Sequence, residues 1–241
     1  MKETGATPLL SVRNLHAHYG KSHILHGITF DVGAGEIVSL LGRNGSGRST
    51  TIKAIMGLVP PTSGQALLNG YEMAGLSPHA IARAGVAYVP EERDVFANLT
   101  VDENLVMGMQ RARDGVPAWT VDEMFDYFPR LRERRNTQAG NLSGGEQQML
   151  TICRSLLGNP QLILIDEPTE GLAPKIVTVV GEAIQDIHRR GVSVILVEQK
   201  LTIALKISTD VCLIGHGKVV FRGKPDELVG NPQLLKDWLA V

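Results

Sequence analysis

The sequence predicts an α/β fold with an antiparallel β subdomain and an inserted α-helical subdomain, and three observations support this prediction. Three short segments, IVSLL, LILID and VSVILV, are apolar almost throughout, which is typical of strands buried on both faces of a parallel sheet. Two segments, ITFDV-GAGE-IVSLL and VCLIG-HGK-VVFRG, have the pattern of antiparallel hairpins with glycine-containing turns. A third region, residues 92–158, shows no convincing strand pattern. Strands are predicted near 10–17, 28–32, 37–41, 65–68, 86–89, 162–166, 192–197, 211–214 and 219–221.

Helix signals fill the region without strands. Thr100 with Glu103 and Thr120 with Glu123 each fit a helix capping box, T-x-x-E. The second helix places four apolar residues on one face: Val121, Met124, Phe125 and Phe128. This face could be a docking surface or part of the core, and packing in the core is the favoured interpretation.

Composition limits the class of protein. The 241 residues are 43% hydrophobic and 20% charged with a net charge of -1, which is ordinary for a globular protein and does not favour nucleic acid binding by the whole chain. The start, MKETGATPLL, lacks the apolar core of a secretory signal, and no apolar run approaches the length of a membrane span. Cys153 and Cys212 fit no metal-binding spacing and are predicted to be buried, reduced thiols.

A glycine-rich loop, GRNGSGRST, lies between a predicted strand and a predicted helix that starts near Ser49. It fits the phosphate-binding P-loop G-x-x-x-x-G-K-[ST], in which backbone N–H groups and the helix N-terminus surround phosphate oxygens. Ser49 is placed to ligate Mg²⁺ and Thr50 to contact phosphate. The predicted nucleotide-binding residues of this loop are Gly42, Arg43, Asn44, Gly45, Ser46, Gly47, Arg48, Ser49 and Thr50.

Arg48 stands where the P-loop pattern has lysine. Arginine keeps the positive charge and binds phosphate through paired N–H donors, so nucleotide binding is expected to persist. Its planar guanidinium is broader than an ammonium, and phosphoryl transfer depends mainly on positioning. The sequence therefore leaves the rate of hydrolysis open.

Two further motifs carry candidate chemistry. LILIDEP places Asp166 and Glu167 at the end of a buried strand, where one acid can hold Mg²⁺ and the next can orient or deprotonate the attacking water. NLSGGEQQ places Ser143, Gly144 and Gly145 at the start of a predicted helix, and Ser143 with Glu146 forms another possible capping box. Two glycines in the first turn cost about 1 kcal/mol each, which suggests that something, such as a phosphate, must approach the helix closely.

LSGGE and the order of these motifs resemble the ATP-binding cassette (ABC) ATPases, and the resemblance covers essentially the whole chain. It implies a P-loop NTPase core that binds ATP with Mg²⁺, and an LSGGE segment that contacts the ATP held by a second cassette. It also implies three sets of site residues. The metal would be held by Ser49, Glu91 and Asp166, and the catalytic residues would be Arg48, Glu167 and Gln199. Tyr19 would stack on adenine. The partner's nucleotide would be contacted by Ser143, Gly144 and Gly145.

A narrower resemblance comes from GRNGSG, VPEERDVFANLTVDENL, DEPTEGLAP and LVEQ, which look like the ATPase subunits of branched-chain amino acid importers. It implies a hydrolytic subunit at the cytoplasmic face of a bacterial cell membrane. Its partners would be a second ABC ATPase subunit, identical or different, two transmembrane permeases and, indirectly, a periplasmic solute-binding protein, with no nucleic acid. A urea or amide importer, and a regulatory ATP-binding subunit with weak hydrolysis, remain alternatives.

Three positions depart from the general ABC pattern, since Glu91 replaces the Q-loop glutamine, Gln199 the switch histidine and Ala173 the D-loop aspartate. Gln199 can bond to a phosphate but cannot titrate as histidine does. We expect residues 1–91 and 159–241 to form the nucleotide-binding core with its antiparallel β subdomain. Residues 92–158 are expected to form the helical subdomain with the LSGGE signature.

Overall fold

The computed structural model describes residues 7–112 and 118–239. The strands in these ranges are β1 (Leu10–Tyr19), β2 (Ser22–Val32), β3 (Ile37–Leu41), β4 (Pro61–Leu68), β5 (Tyr71–Glu72), β6 (Val86–Val89), β7 (Leu162–Asp166), β8 (Ser193–Val197), β9 (Asp210–Gly215) and β10 (Lys218–Gly223). The helices are α1 (Arg48–Ile55), α2 (Pro78–Arg83), α3 (Val101–Gly108), α4 (Val121–Tyr127), α5 (Pro129–Glu133), a short 3-10 helix (Ala139–Asn141), α6 (Gly144–Leu156), α7 (Pro174–Arg189), α8 (Leu201–Ile207), α9 (Pro225–Val229) and α10 (Pro232–Leu239).

The larger sheet has six strands in the order β10-β9-β3-β8-β7-β6. Every pair among β9, β3, β8, β7 and β6 is parallel, and only β10 runs antiparallel, beside β9. All residues of β3, β7 and β8 are buried, as the apolar segments predicted. The smaller sheet, β2-β1-β4-β5, is antiparallel throughout. The predicted α/β class with an antiparallel β unit is confirmed.

One of the two predicted hairpins is wrong. β9 and β10 do pair as an antiparallel hairpin. The segment ITFDV-GAGE-IVSLL does not, because β2 belongs to the small sheet and β3 to the large one. Both edges of β3 are occupied by β8 and β9, so its backbone groups have no place left for β2. The glycine-containing turn carries the chain from one sheet to the other.

The strand boundaries differ most in the small sheet. β2 begins six residues before the predicted position 28, β4 begins four residues before 65, and the two-residue β5 was not predicted. The early part of β2, SHILHG, is mostly exposed or half-buried and contains two histidines and a glycine. Its sequence therefore gives a weak strand signal, and pairing with β1 decides its conformation.

Between positions 92 and 158, the described residues form helices and one isolated bridge, between Thr100 and Gln138. Both predicted capping boxes are present at the starts of α3 and α4. The apolar face of α4 lies in the core, with Met124, Phe125 and Phe128 buried and Val121 packed against them. The interpretation of this face as core is therefore confirmed over that of a docking surface. Cys153 and Cys212 are free and buried, as predicted.

Candidate functional site

Four predicted site segments follow the carboxyl ends of neighbouring parallel strands. The glycine loop follows β3, Gln199 follows β8, and Glu91 follows β6. Asp166 is the last residue of β7, and Glu167 comes directly after it. These strands are adjacent in the order β3-β8-β7-β6. In open α/β sheets this edge is where ligands bind, so the topology gathers residues that are up to 157 positions apart, from Gly42 to Gln199.

The glycine loop has a conformation that other residues would not adopt easily. Gly42, Gly45 and Gly47 have φ of 150°, 77° and 106°. A Cβ at Gly42 would lie 2.3 Å from the carbonyl oxygen of Ile214, so a side chain has no space there. Ser46 is buried and its hydroxyl has no hydrogen-bond partner. An unpaired hydroxyl inside a glycine loop can donate a hydrogen bond to a bound phosphate oxygen.

The other loop residues lie around this turn. Arg43, Asn44 and Gly45 are exposed. The helix α1 begins at Arg48, one residue before the predicted start, with Ser49 and Thr50 in its first turn. The loop therefore leads directly into a helix N-terminus, as a phosphate site requires.

Arg48 is turned toward the acidic edge of the sheet and is almost fully buried, with 4% exposure. Its Nη2 donates to Glu167 Oε1 at 2.9 Å and to Asn44 Oδ1 at 3.0 Å, and its Nη1 donates to the Glu198 carbonyl oxygen at 3.1 Å. One guanidinium thus joins the glycine loop to the ends of β7 and β8. The predicted catalytic base and the residue that replaces lysine form an ion pair in this structure.

Glu167 has the properties of a general base held in a strained position. Its φ is 43°, a left-handed conformation that is uncommon for glutamate and is found most often at functional sites. Burial raises the pKa of Glu167 to about 7, helped by the hydrogen bond that its protonated form donates to the Glu170 carboxylate, and the charge of Arg48 opposes this rise. A base with a pKa near neutrality combines a usable deprotonated fraction with proton affinity.

Asp166 and Ser49 form the part of the site that fits Mg²⁺. The Ser49 hydroxyl donates to Asp166 Oδ1 at 2.8 Å, and the Tyr88 hydroxyl donates to Oδ2 at 3.4 Å. Burial raises the pKa of Asp166, while the Ser49 hydrogen bond and the positive charge of Lys53 oppose it. Burial and the Asp166 charge raise the pKa of Tyr88, so its hydroxyl stays a donor.

Glu91 is exposed, and its negative charge contributes to the raised pKa of Glu167. No group of three or more His, Cys, Asp or Glu side chains in ligand geometry occurs among the described residues. Magnesium normally takes one or two carboxylates and completes its shell with water and substrate phosphates. Asp166 and Ser49 therefore suit a metal that arrives with a nucleotide.

Gln199 is exposed, and its Nε2 donates to Asn44 Oδ1 at 3.3 Å. The same Asn44 oxygen accepts from Arg48, so Gln199 faces the glycine loop. The residue before it, Glu198, was not predicted as a site residue. Its only signal in the sequence is an acid at the end of an apolar strand, the same signal that singled out Asp166.

The LSGGE segment lies beside the loop that follows β7. Ser143 caps α6 in a capping box with Glu146, as its spacing predicted. A Cβ at Gly144 would lie 2.3 Å from Nη1 of Arg93, whose Nη2 donates to the Glu170 carbonyl oxygen at 3.0 Å. Within the described residues, no hydrogen bond joins Ser143 to the glycine loop. Because Nη1 of Arg93 is the end of a flexible side chain, this contact does not by itself require glycine at 144.

Gly145, the second glycine of the segment, also lies close to its own chain. A Cβ at this position would lie 3.1 Å from a methyl carbon of Ile176 on α7. This packing is one reason for a small residue in the first turn of α6, alongside the predicted approach of a phosphate.

Tyr19 ends β1 at the turn into β2, and 49% of its surface is exposed. The β2 strand approaches the glycine loop, because a Cβ at Gly47 would lie 3.0 Å from Leu25 Cδ2. The main chain of His26 also donates to the carbonyl oxygen of Gly217 at 2.8 Å, next to the loop. The hairpin that carries Tyr19 thus lies beside the predicted phosphate site with its aromatic ring available to solvent.

The fold and the site together define a P-loop nucleotide-binding protein of the α/β class. A sequence model described as ABC transporter matches residues 25–170. The chain belongs to the ABC transporter family, as an ATP-binding cassette with the ATPase core of that family.

Two relatives match over nearly the whole chain. A high-affinity branched-chain amino acid transport ATP-binding protein of Pseudomonas aeruginosa is 40% identical and covers 96% of this chain and 100% of its own. A probable branched-chain amino acid transport ATP-binding protein of Archaeoglobus fulgidus is 37% identical and covers 97% and 99%. A crystal structure of a nucleotide-free ATP-binding cassette from an ABC transporter superposes with a TM-score of 0.82 at 22% identity, over 98% and 99% of the two chains, which shows the shared fold.

Proposed function

We propose that this chain is the ATP-binding and ATP-hydrolysing subunit of an importer for branched-chain or other hydrophobic amino acids. The observation that carries the proposal is full-length similarity to two proteins named for branched-chain amino acid transport, joined to a site that retains the acids and the glycine loop. None of the helices in the described ranges is both long and apolar enough to cross a membrane. In the proposed importer, the translocation path belongs to separate permease subunits.

At this site the chain's own residues have distinct tasks. The loop residues 42–50 bind the phosphates, Tyr19 stacks on the adenine, and Asp166 with Ser49 and Glu91 holds Mg²⁺. Bound Mg²⁺ supplies charge neutralisation at the phosphates. Glu167 orients and deprotonates the attacking water.

The polar residues beside Glu167 complete the proposed site. Gln199 donates a hydrogen bond to the terminal phosphate from the far side of the glycine loop. Arg48 leaves its ion pair with Glu167 to contact phosphate.

The proposed assembly contains two cassettes, two permeases and an external solute-binding protein that acts through the permeases, at the cytoplasmic face of a bacterial cell membrane. Ser143, Gly144 and Gly145 then contact the nucleotide of the partner cassette, because Ser143 has no described bond to its own glycine loop. In the proposed domain division, the nucleotide-binding core comprises residues 1–91 and 159–241, and the helical subdomain comprises residues 92–158. Between positions 92 and 158 the described residues form helices and no strand beyond one isolated bridge, which supports that division.

The experiment for the proposed function is uptake in a strain lacking this gene, complemented with wild type or with Glu167→Gln. Wild type should restore uptake of labelled leucine, and the variant should express equally and fail to do so. Restored uptake of urea or short amides without leucine would instead support the alternative importer. Purified complex should hydrolyse ATP, and Glu167→Gln should run as a stable dimer of cassettes on gel filtration with ATP and Mg²⁺.

The ion pair between Arg48 and Glu167 supports a second candidate, a regulatory subunit that binds ATP and hydrolyses it weakly. A buried pair of this kind keeps the base away from water until the arginine moves. Measuring hydrolysis with only one competent site at a time distinguishes the two candidates. A complex in which the site of this chain turns over no faster than its Glu167→Gln variant would identify the regulatory role.

A further inference from the structure

Glu198 is a buried carboxylate at the point where the β8 strand meets the candidate site. It is 2% exposed, and it accepts three hydrogen bonds. Oε2 accepts from the Thr169 hydroxyl at 2.8 Å, and Oε1 accepts from the backbone N–H groups of Gln199 at 2.8 Å and Lys200 at 2.9 Å. Burying a carboxylate is unfavourable unless such donors compensate it, so this side chain is fully committed to its neighbours.

The partners of Glu198 belong to two segments that must act on the same phosphate. Thr169 lies two residues after Glu167 on the loop that follows β7, and Gln199 lies on the loop that follows β8. The Lys200 ammonium closes the same junction from the other side, because it donates to the Thr169 carbonyl oxygen at 3.1 Å. The main-chain oxygen of Glu198 also accepts from Arg48. One residue therefore joins the general base loop, the phosphate-contacting glutamine and the glycine-loop helix.

We propose that Glu198 is a positioning residue that fixes the position of Gln199 relative to the loop that carries Glu167, so that both side chains reach the same nucleotide. The inference rests on the proposed function, since it concerns the same hydrolysis. Preorganised polar groups contribute most of their effect when their positions are fixed before the reaction, and a displacement of about 1 Å can cost about 100-fold in rate. Glu198 touches neither substrate nor metal in this role, so its effect on turnover passes through its two partners.

A purely local role for Glu198 predicts different behaviour. The bonds to Gln199 and Lys200 span one and two residues and could serve only to shape the turn before α8. The bond to Thr169 spans 29 residues and has no such local purpose. Variants that remove the Thr169 bond alone therefore separate positioning across the site from shaping of one turn.

The test uses the assembled transport complex with five variants of this subunit: Glu198→Ala, Glu198→Gln, Thr169→Val, Thr169→Ser and the double variant Glu198→Ala with Thr169→Val. We expect Glu198→Ala to lower kcat by about 100-fold, while the Kd for a fluorescent ATP analogue stays unchanged. Glu198→Gln keeps an acceptor for both N–H groups and an amide that can donate to the Thr169 hydroxyl, so it should recover most of the turnover. Thr169→Val should lower kcat and Thr169→Ser should not, because serine keeps the hydroxyl.

A fall in kcat with unchanged Kd and Tm is the readout that a merely structural role would not produce, and the double variant tests whether Glu198 and Thr169 act through one contact. If the two residues act through one contact, the double variant should be no slower than Glu198→Ala, and the two effects will not add. Additive effects, or equal losses in nucleotide affinity and kcat with a matching fall in Tm, would overturn the inference. If Glu198→Ala does not fold, the comparison of Thr169→Val with Thr169→Ser tests the inference. Equal kcat values for these two variants would overturn the inference.

The outcomes also separate this inference from the proposed function. A wild-type complex without ATPase activity contradicts the proposed function, and the inference falls with it. An active wild type whose Glu198→Ala variant turns over normally contradicts the inference alone.

Discussion

Replacing Arg48 by lysine should weaken the contacts that join the glycine loop to the residues at the carboxyl ends of β7 and β8. The guanidinium serves three acceptors on three segments, with Nη1 on the Glu198 carbonyl and Nη2 on Asn44 and Glu167. A lysine has a single donor nitrogen, so it loses at least the contact that Nη1 makes. A hydrogen bond that involves a charged group contributes about 1.5–3 kcal/mol. In the proposed function Arg48 must leave these acceptors before it contacts phosphate, so the lysine variant should need about 1.5 kcal/mol less.

The assay is steady-state ATP hydrolysis by the assembled complex, compared as kcat/KM. This quantity includes every step from free enzyme to the transition state, wherever the ion pair breaks. If the activation free energy falls by about 1.5 kcal/mol, kcat/KM for Arg48→Lys should rise about tenfold. Arg83→Lys, at an exposed position in the last turn of α2, serves as the control for the exchange itself. An equal or lower kcat/KM for Arg48→Lys would show that the site has adapted to arginine and that the ion pair does not restrain hydrolysis.

Three more predictions follow from particular residues. Because the pKa of Glu167 is raised to about 7 and the base must be deprotonated, kcat/KM should fall as pH decreases through 7. Glu170→Gln removes a neighbouring negative charge that raises this pKa, so the acidic limb of the pH profile should move to lower pH, and an unmoved limb would argue against Glu167 as the base. Ser143→Arg should leave the Kd of the isolated chain for labelled ATP unchanged and abolish turnover in the complex, whereas a large loss of affinity in the isolated chain would contradict a role at the partner's nucleotide. Phe128→Ala should lower the free energy of unfolding by about 3–5 kcal/mol in a denaturant titration, because Phe128 is buried in the core, and a loss below about 1 kcal/mol would contradict that packing.

Local sequence was sufficient for features whose partners are near in the chain. The capping boxes at Thr100, Thr120 and Ser143 form as their spacing predicted, since each needs only residues three positions apart. The buried strands β3, β7 and β8 were visible because strands covered on both faces must be apolar throughout. The glycine loop was visible because only glycine adopts its backbone conformation without strain.

Pairing across the fold was beyond local sequence. The turn GAGE is compatible with a hairpin. However, β3 pairs on both edges with strands that lie far along the chain, so β2 pairs in the other sheet. The starts of β2 and β4 were missed for the same reason, since an exposed segment such as the start of β2 takes its conformation from its neighbour.

The sequence by itself determined the family, the P-loop and the presence of acids at strand ends, because these depend on residue types at fixed spacings. Only the tertiary structure decided what Arg48 contacts. Its side chain is long enough to turn either toward phosphate or toward the sheet edge, and the strand order β3-β8-β7 places Glu167 and the Glu198 carbonyl within its reach. The same strand order gives Glu198 its bond to Thr169, because two loops that are 29 residues apart meet only when their strands lie side by side.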